Sequence, residues 1–259
     1  MVAYLIEVNG LLEVYNFYLG CILGVYIYMK INTYERKNAE SVRRYVYDTL
    51  RESIMLLELK PGTKITEKDI AEKLGVSRTP VREALIKLSQ EDLVTIYPQK
   101  GTFVSLIDPN HVEEAVFIRK NLEIAAVKSS CTNFPEDVLF SLKENLNSME
   151  FQLNQPQINN LNVFNLDNEF HKLIFKGCGK EKAWTIITEV STHLNRVRYL
   201  KMLVFSSSWK DVFRQHSEIV DAICNKDVHR GLEVLEEHLG KINIQMHELY
   251  SQYSMYFKK

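Results

Sequence analysis

Four side chains with metal-ligand chemistry are spread over the C-terminal half of the chain: Asp167, His171, His216 and His238. Asp167 and His171 are four residues apart, so a helix would place them on one face with Phe170 and Ile174. His216 falls inside the apolar stripe Val212, Phe213, Ile219, Val220, Ile223, and His238 inside Leu235, Leu239, Ile242. A carboxylate and three imidazoles aimed at one core are costly unless they are paired or bound to a cation. The set suits one divalent transition metal per chain (zinc, nickel or manganese) with positions left for water or a ligand. A hydrogen-bonded core cluster is the alternative that these residues alone leave open. His111, His229 and His247 fall off the apolar stripes, and the position of His193 is ambiguous.

A second group carries different chemistry. Arg78 and Arg82 are four apart, with Ser77 and Thr79 at the same end. Arginine can donate two parallel bonds to guanine O6 and N7, while hydroxyls and a helix N-terminus suit phosphate oxygens. Two arginines by themselves describe a solvated helix face, so the elements around them must decide.

Those elements are well marked. From Ser41 to Leu59 apolar residues follow helical spacing, and Pro61-Gly62 ends the helix. Thr66 with Asp69 resembles a capping box that opens a short helix through Ile70, Ala71 and Leu74, closed by Gly75. Ser77 then caps a third helix that tolerates Pro80 in its first turn and points Val81, Ala84, Leu85 and Leu88 inward. Two helices joined by a tight glycine turn make a helix-turn-helix. Leu93 to Val104 reads as two short β-runs around a turn carrying Pro98, Lys100 and Gly101, the wing of a winged helix.

The remainder, residues 106–259, contains three prolines, Pro109, Pro135 and Pro156, and no competing strand pattern. Amphipathic helices are predicted from Asp108-Pro109 through Ala125, then over 138–153, 163–175, 183–203, 209–224 and 228–250. About six helices make a bundle. The predicted fold class is therefore mainly α: a winged helix-turn-helix with a small hairpin wing over residues 30–105, followed by an all-helical domain over residues 106–259. With 10 glycines and 6 prolines among 259 residues, a many-stranded sandwich or barrel is excluded. Four scattered cysteines exclude a zinc ribbon and a redox pair, and fit a reducing cytoplasm. The net charge of -1 conceals 14 basic against 11 acidic residues over 30–105, a mildly basic segment that permits a polyanionic partner.

The run Ile70-Ala71-Glu72-Lys73-Leu74-Gly75-Val76-Ser77-Arg78-Thr79-Pro80-Val81-Arg82-Glu83-Ala84-Leu85, closed by Gly101-Thr102-Phe103-Val104, resembles the GntR family of bacterial transcription regulators. That resemblance implies operator contacts at Lys68, Ser77, Arg78, Thr79, Arg82 and Gly101. Asp167-Asn168-Glu169-Phe170-His171, Gln215-His216 and Glu237-His238-Leu239 resemble the FCD effector domain of its FadR subfamily. The resemblance implies that Asp167, His171, His216 and His238 hold the metal and that Arg119 meets the effector, a small carboxylic or sugar acid. Arg198 is a second effector candidate, balanced against a surface charge next to Arg196. One departure stands out: Gly177-Cys178-Gly179-Lys180 occupies the place where the family often has Ser-Gly-Asn.

The expectation is a homodimeric, ligand-responsive regulator, a repressor, bound to a near-palindromic double-stranded operator in the cytoplasm. It is not expected to be an enzyme. A metal-dependent hydrolase or lyase is the alternative, but no motif supplies its general base. Val14 to Met29 is uncharged for 16 residues, short of a membrane span, with no basic start for a signal peptide. Residues 1–29 are read as an atypical hydrophobic extension with Met29 as the true start. A membrane-tethered regulator is the alternative to that, and no membrane partner is expected.

Overall fold

The computed structural model describes residues 31, 41–205, 209–244 and 246–259; the 1–29 extension lies outside them. The elements run α1 (Val42–Met55), β1 (Lys64–Ile65), α2 (Glu67–Leu74), α3 (Arg78–Gln90), β2 (Val94–Tyr97), β3 (Gly101–Val104), α4 (Pro109–Ser130), α5 (Glu136–Leu153) and α6 (Asn160–Gly177). Then come α7 (Glu181–Val190), α8 (Thr192–Val204), α9 (Trp209–Asn225), α10 (Val228–Ile244), α11 (Met246–Gln252) and a short 3-10 turn, Ser254–Tyr256. Among the described residues no helix is long and apolar enough to cross a membrane.

The N-terminal unit follows its caps closely. The Thr66 hydroxyl accepts the Asp69 amide, and Gly75 sits in the left-handed region at φ 64, so α2 has the bounds its sequence implies. Ser77 precedes α3 but its side chain accepts no capping bond, which leaves the hydroxyl exposed. α1 ends earlier than Pro61 requires, at Met55, because Leu57 turns to positive φ. The wing hairpin pairs Val94 with Val104 and Tyr97 with Gly101, and β1 adds a third strand by pairing Lys64 with Phe103. Val46, Leu50, Ile54, Ile70, Val81 and Leu88 are fully buried beneath it. Each such side chain contributes about 1.5–3 kcal/mol of burial.

The C-terminal unit is a bundle of α4 to α11, and the helix predicted over 228–250 is described as α10 and α11. The helix predicted over 183–203 is two helices, α7 and α8, divided at Ser191. The apolar spacing runs on through the break although α7 packs Trp184 and Ile187 into one cluster and α8 packs Leu194, Val197 and Leu200 into another, which is why periodicity alone could not locate it. A third cluster joins the two units: Leu57, Ile107, Leu194, Val197 and Phe257 are all buried together. There the chain's end returns to the linker, with Ile107 N–H donating to Tyr256 O at 2.8 Å and Lys258 N–H to Ile107 O at 2.8 Å.

Candidate functional site

α6 carries Asp167 and His171 on one inward face, α9 brings His216 and α10 brings His238. One potential ligand atom from each of the four lies within 4.8 Å of all the others. Asp167, His171 and His216 are buried, and His238 is half-buried. Two rings have an oxygen close to their outer nitrogen, hydrogen-bonded in His238 and off-axis in His171. His171 Nδ1 lies 2.9 Å from a Glu123 carboxylate oxygen, and His238 Nδ1 lies 3.2 Å from the Gln215 side-chain oxygen. The Gln215 amide group in turn donates to Glu237 at 2.8 Å, which orients that oxygen toward the ring. The His238 ring then holds its proton on Nδ1 and presents an Nε2 lone pair inward, and the carboxylate beside His171 Nδ1 favours the same tautomer there.

The two inward nitrogens, His171 Nε2 and His238 Nε2, stand 3.3 Å apart. Two lone pairs at that distance repel unless a cation or proton lies between them. Neither nitrogen of His216 has a hydrogen-bond partner, and its Nε2 lies 3.5 Å from Asp167 Oδ1. Phe170 stacks on that ring at 3.8 Å and holds its plane. Burial depresses all three imidazoles, His216 to about 4 and the other two well below their ordinary value, so they are neutral donors at pH 7. Burial would raise the Asp167 carboxyl, but the Arg198 guanidinium paired with it outweighs burial and holds it ionised. Orphaned ring nitrogens, neutral imidazoles and one ionised carboxylate fit a divalent metal of the zinc, nickel or manganese type.

Arg119 and Arg198, the two effector candidates, are both removed from bulk solvent. Arg119 is 2% exposed and donates from Nε to Glu123 at 2.6 Å, while its Nη2 has no partner. Arg198 pairs with Asp167 and donates to Asn168 at 2.9 Å and Asn195 at 2.7 Å. The surface-charge reading of Arg198 is therefore corrected: its neighbour Arg196 is fully buried, and Arg198 lies against the proposed metal cluster. Both arginines line a cavity of about 570 Å³ between α1, α4, α6, α7 and α8.

Glu123 and Gln215 went unassigned in the sequence. The Arg119 and Glu123 spacing of four residues was the available signal for Glu123. Nothing in sequence pairs Gln215 with His238, since the contact joins two helices.

A second group, Asp92, His111 and His193, gathers where the two units meet. His193 Nδ1 accepts the Asp108 amide at 2.9 Å and faces the Arg196 guanidinium at 3.0 Å. The proton of that neutral ring is therefore on Nε2, which disqualifies it as a metal ligand.

On the winged helix, Lys68, Ser77, Arg78, Thr79 and Arg82 are exposed around the α2 to α3 turn. Arg82 forks onto Glu67, with Nε and Nη2 at 2.8 and 2.9 Å from the two carboxylate oxygens. Lys68 lies 3.9 Å from Glu72. Gly101 sits at the wing tip at φ 115, which favours glycine, while a Cβ there would only displace the flexible end of Lys64, whose Cε would stand at 3.0 Å.

A winged helix joined to a helical bundle that buries an Asp-His-His-His cluster defines a class: DNA-binding regulators with a sensory domain. Residues 43–104 match the model of the gntR family of bacterial regulatory proteins, and residues 114–241 match the FCD domain. A helix-turn-helix regulator in an unstable DNA locus of Streptomyces ambofaciens is 35% identical over 79% of this chain and 85% of its own length. The repressor RspR of Escherichia coli is 29% identical over 85% of this chain and 95% of its own. Among solved structures, Escherichia coli McbR/YncC superposes with a TM-score of 0.67 at 22% identity, covering 83% of this chain and 99% of that one. The chain belongs to the GntR family and is a DNA-binding transcriptional regulator with an FCD domain, not an enzyme.

Proposed function

We propose that the protein is a homodimeric, cytoplasmic repressor that binds a near-palindromic operator and is released by a small carboxylic or sugar acid. Lys68, Ser77, Arg78, Thr79, Arg82 and Gly101 form the operator face. A two-fold dimer matches a two-fold site. Repression is supported by the name of RspR, a repressor over nearly its whole length of similarity. Asp167, His171, His216 and His238 hold one divalent ion, which would supply coordination positions for the acid. Arg119 and Arg198 meet its carboxylate.

The single observation that carries the sensory half is the pair of inward Nε2 atoms 3.3 Å apart, with Gln215 bonded to the outer nitrogen of His238 and the Glu123 carboxylate 2.9 Å from that of His171. Elemental analysis of untagged protein tests it. About one metal per chain, lost in His216→Ala while operator binding persists, is the expected result; metal retained by His216→Ala would remove that residue from the site.

A further inference from the structure

An acidic residue sits among the basic ones of the operator face. Glu67 opens α2, and Arg82 of α3 forks onto it, Nε at 2.8 Å from one carboxylate oxygen and Nη2 at 2.9 Å from the other. A carboxylate on a surface that meets phosphates weakens binding unless it has another task. Capping α2 is not that task, because the Thr66 hydroxyl already accepts the Asp69 amide at 3.1 Å. Nor is stability, since the two side chains are 67% and 30% exposed and exposed ion pairs contribute little to a fold.

The fork decides which donors of Arg82 remain. A guanidinium carries five N–H groups in one rigid plane. Glu67 takes Nε–H and one Nη2–H, which leaves the second Nη2–H parallel to an Nη1–H at the outer end. That edge fits guanine O6 and N7. An arginine already held by its inner edge also loses less rotamer freedom when it docks. Arg78 is not held in this way; it acts on the Glu67 carboxylate through its charge alone. The bonds from Arg82 come first, and with the charges of both arginines they outweigh burial and hold the Glu67 carboxyl below its usual range, so the buttress is ionised.

We propose that Glu67 is a specificity-determining positioning residue: it holds the Arg82 guanidinium so that its outer edge reads a guanine at one position of each half-site. Its negative charge also offsets that of Arg82 and weakens the competing, sequence-independent pull of phosphates. Specificity is a difference of affinities, and the pair acts on both sides of it. This assignment rests on Arg82 lying in the operator face, as proposed above.

Selection by the full-length protein from a duplex library with a randomised core supplies the probe, and the selected duplex, its single-base variants and a scrambled duplex are then titrated. Arg82→Ala marks the positions that Arg82 reads, where the guanine preference collapses. At those positions Glu67→Gln lowers the preference for guanine by about tenfold and leaves the other positions unchanged. The same variant binds the scrambled duplex more tightly, with a log-log salt slope steeper by about one, because a cation has been freed. Glu67→Ala behaves alike, and the double variant of Glu67→Gln with Arg82→Ala discriminates no worse than Arg82→Ala alone. A guanine preference unchanged in both Glu67 variants, or weaker binding to every duplex alike, overturns the positioning role and leaves Arg82 on the operator. A guanine preference unchanged in Arg82→Ala overturns the placement of Arg82 on the base edges and the positioning role with it.

Discussion

Acidification should destabilise this protein through His193. Its Nδ1 accepts the Asp108 amide and packs against the Arg196 guanidinium, so a proton placed there would face two donors and a cation. Burial first, then the charges of Arg196 and His111, push the ring from its ordinary 6.5 down to about 3. The unfolded chain takes up a proton over that interval that the native chain refuses. The contribution is present in full above about pH 6.5 and is lost progressively as pH falls toward about 3. Integrated from pH 7 to pH 5, the linkage amounts to about 2 kcal/mol. Urea unfolding of chelator-treated wild type and His193→Gln at both pH values reads it, since every other titrating group is common to the two. Glutamine can still accept the Asp108 amide through its side-chain oxygen, so the variant keeps the contact and lacks only the titration. Wild type should lose about 2 kcal/mol more than the variant. Equal losses would refute the assignment of a native neutral ring.

Other expectations follow from the same geometry. Arg78→Ala and Arg82→Ala should each cost about 1–3 kcal/mol of specific operator binding and relax the base preference at one position, read by competition footprinting; an unchanged footprint would take that arginine off the base edges. Glu123→Gln should weaken metal affinity about 10- to 100-fold, because His171 loses the carboxylate beside its Nδ1, measured by competition with a chromogenic chelator. Gly177→Ala should destabilise by about 1–3 kcal/mol, since a Cβ there would stand 2.0 Å from Phe134 Cε2, and the thermal midpoint would report it. An unshifted midpoint would mean that the Phe134 ring moves aside without cost.

Much of the winged unit is legible from local chemistry. Thr66, Gly75 and the Val94 to Val104 hairpin act within a few residues of themselves, so capping, left-handed glycine and turn rules reach them without knowledge of the rest. β1 escaped because a two-residue strand has no period, and only its distant partner Phe103 defines it. In the bundle, helical periodicity placed Asp167, His171, His216 and His238 on inward faces, and the resemblance to the FCD domain then united them. Periodicity could not reveal the break at Ser191, since the stripe is continuous across it.

What the sequence by itself determined was therefore which faces are apolar, where helices begin, and which residue types are carried inward or left on the operator side. Tertiary structure alone decided the tautomer of His238, because Gln215 sets it from another helix. It also buried Arg196 against Ser105 O at 2.6 Å, where a pair of nearby arginines read as surface. And it placed α1 of the DNA-binding domain on the wall of the sensory cavity. The physical reason is common to all three: a hydrogen bond or a cavity wall between distant segments depends on how whole helices pack, and helix packing is decided by the shape of every face at once rather than by the spacing along any one of them.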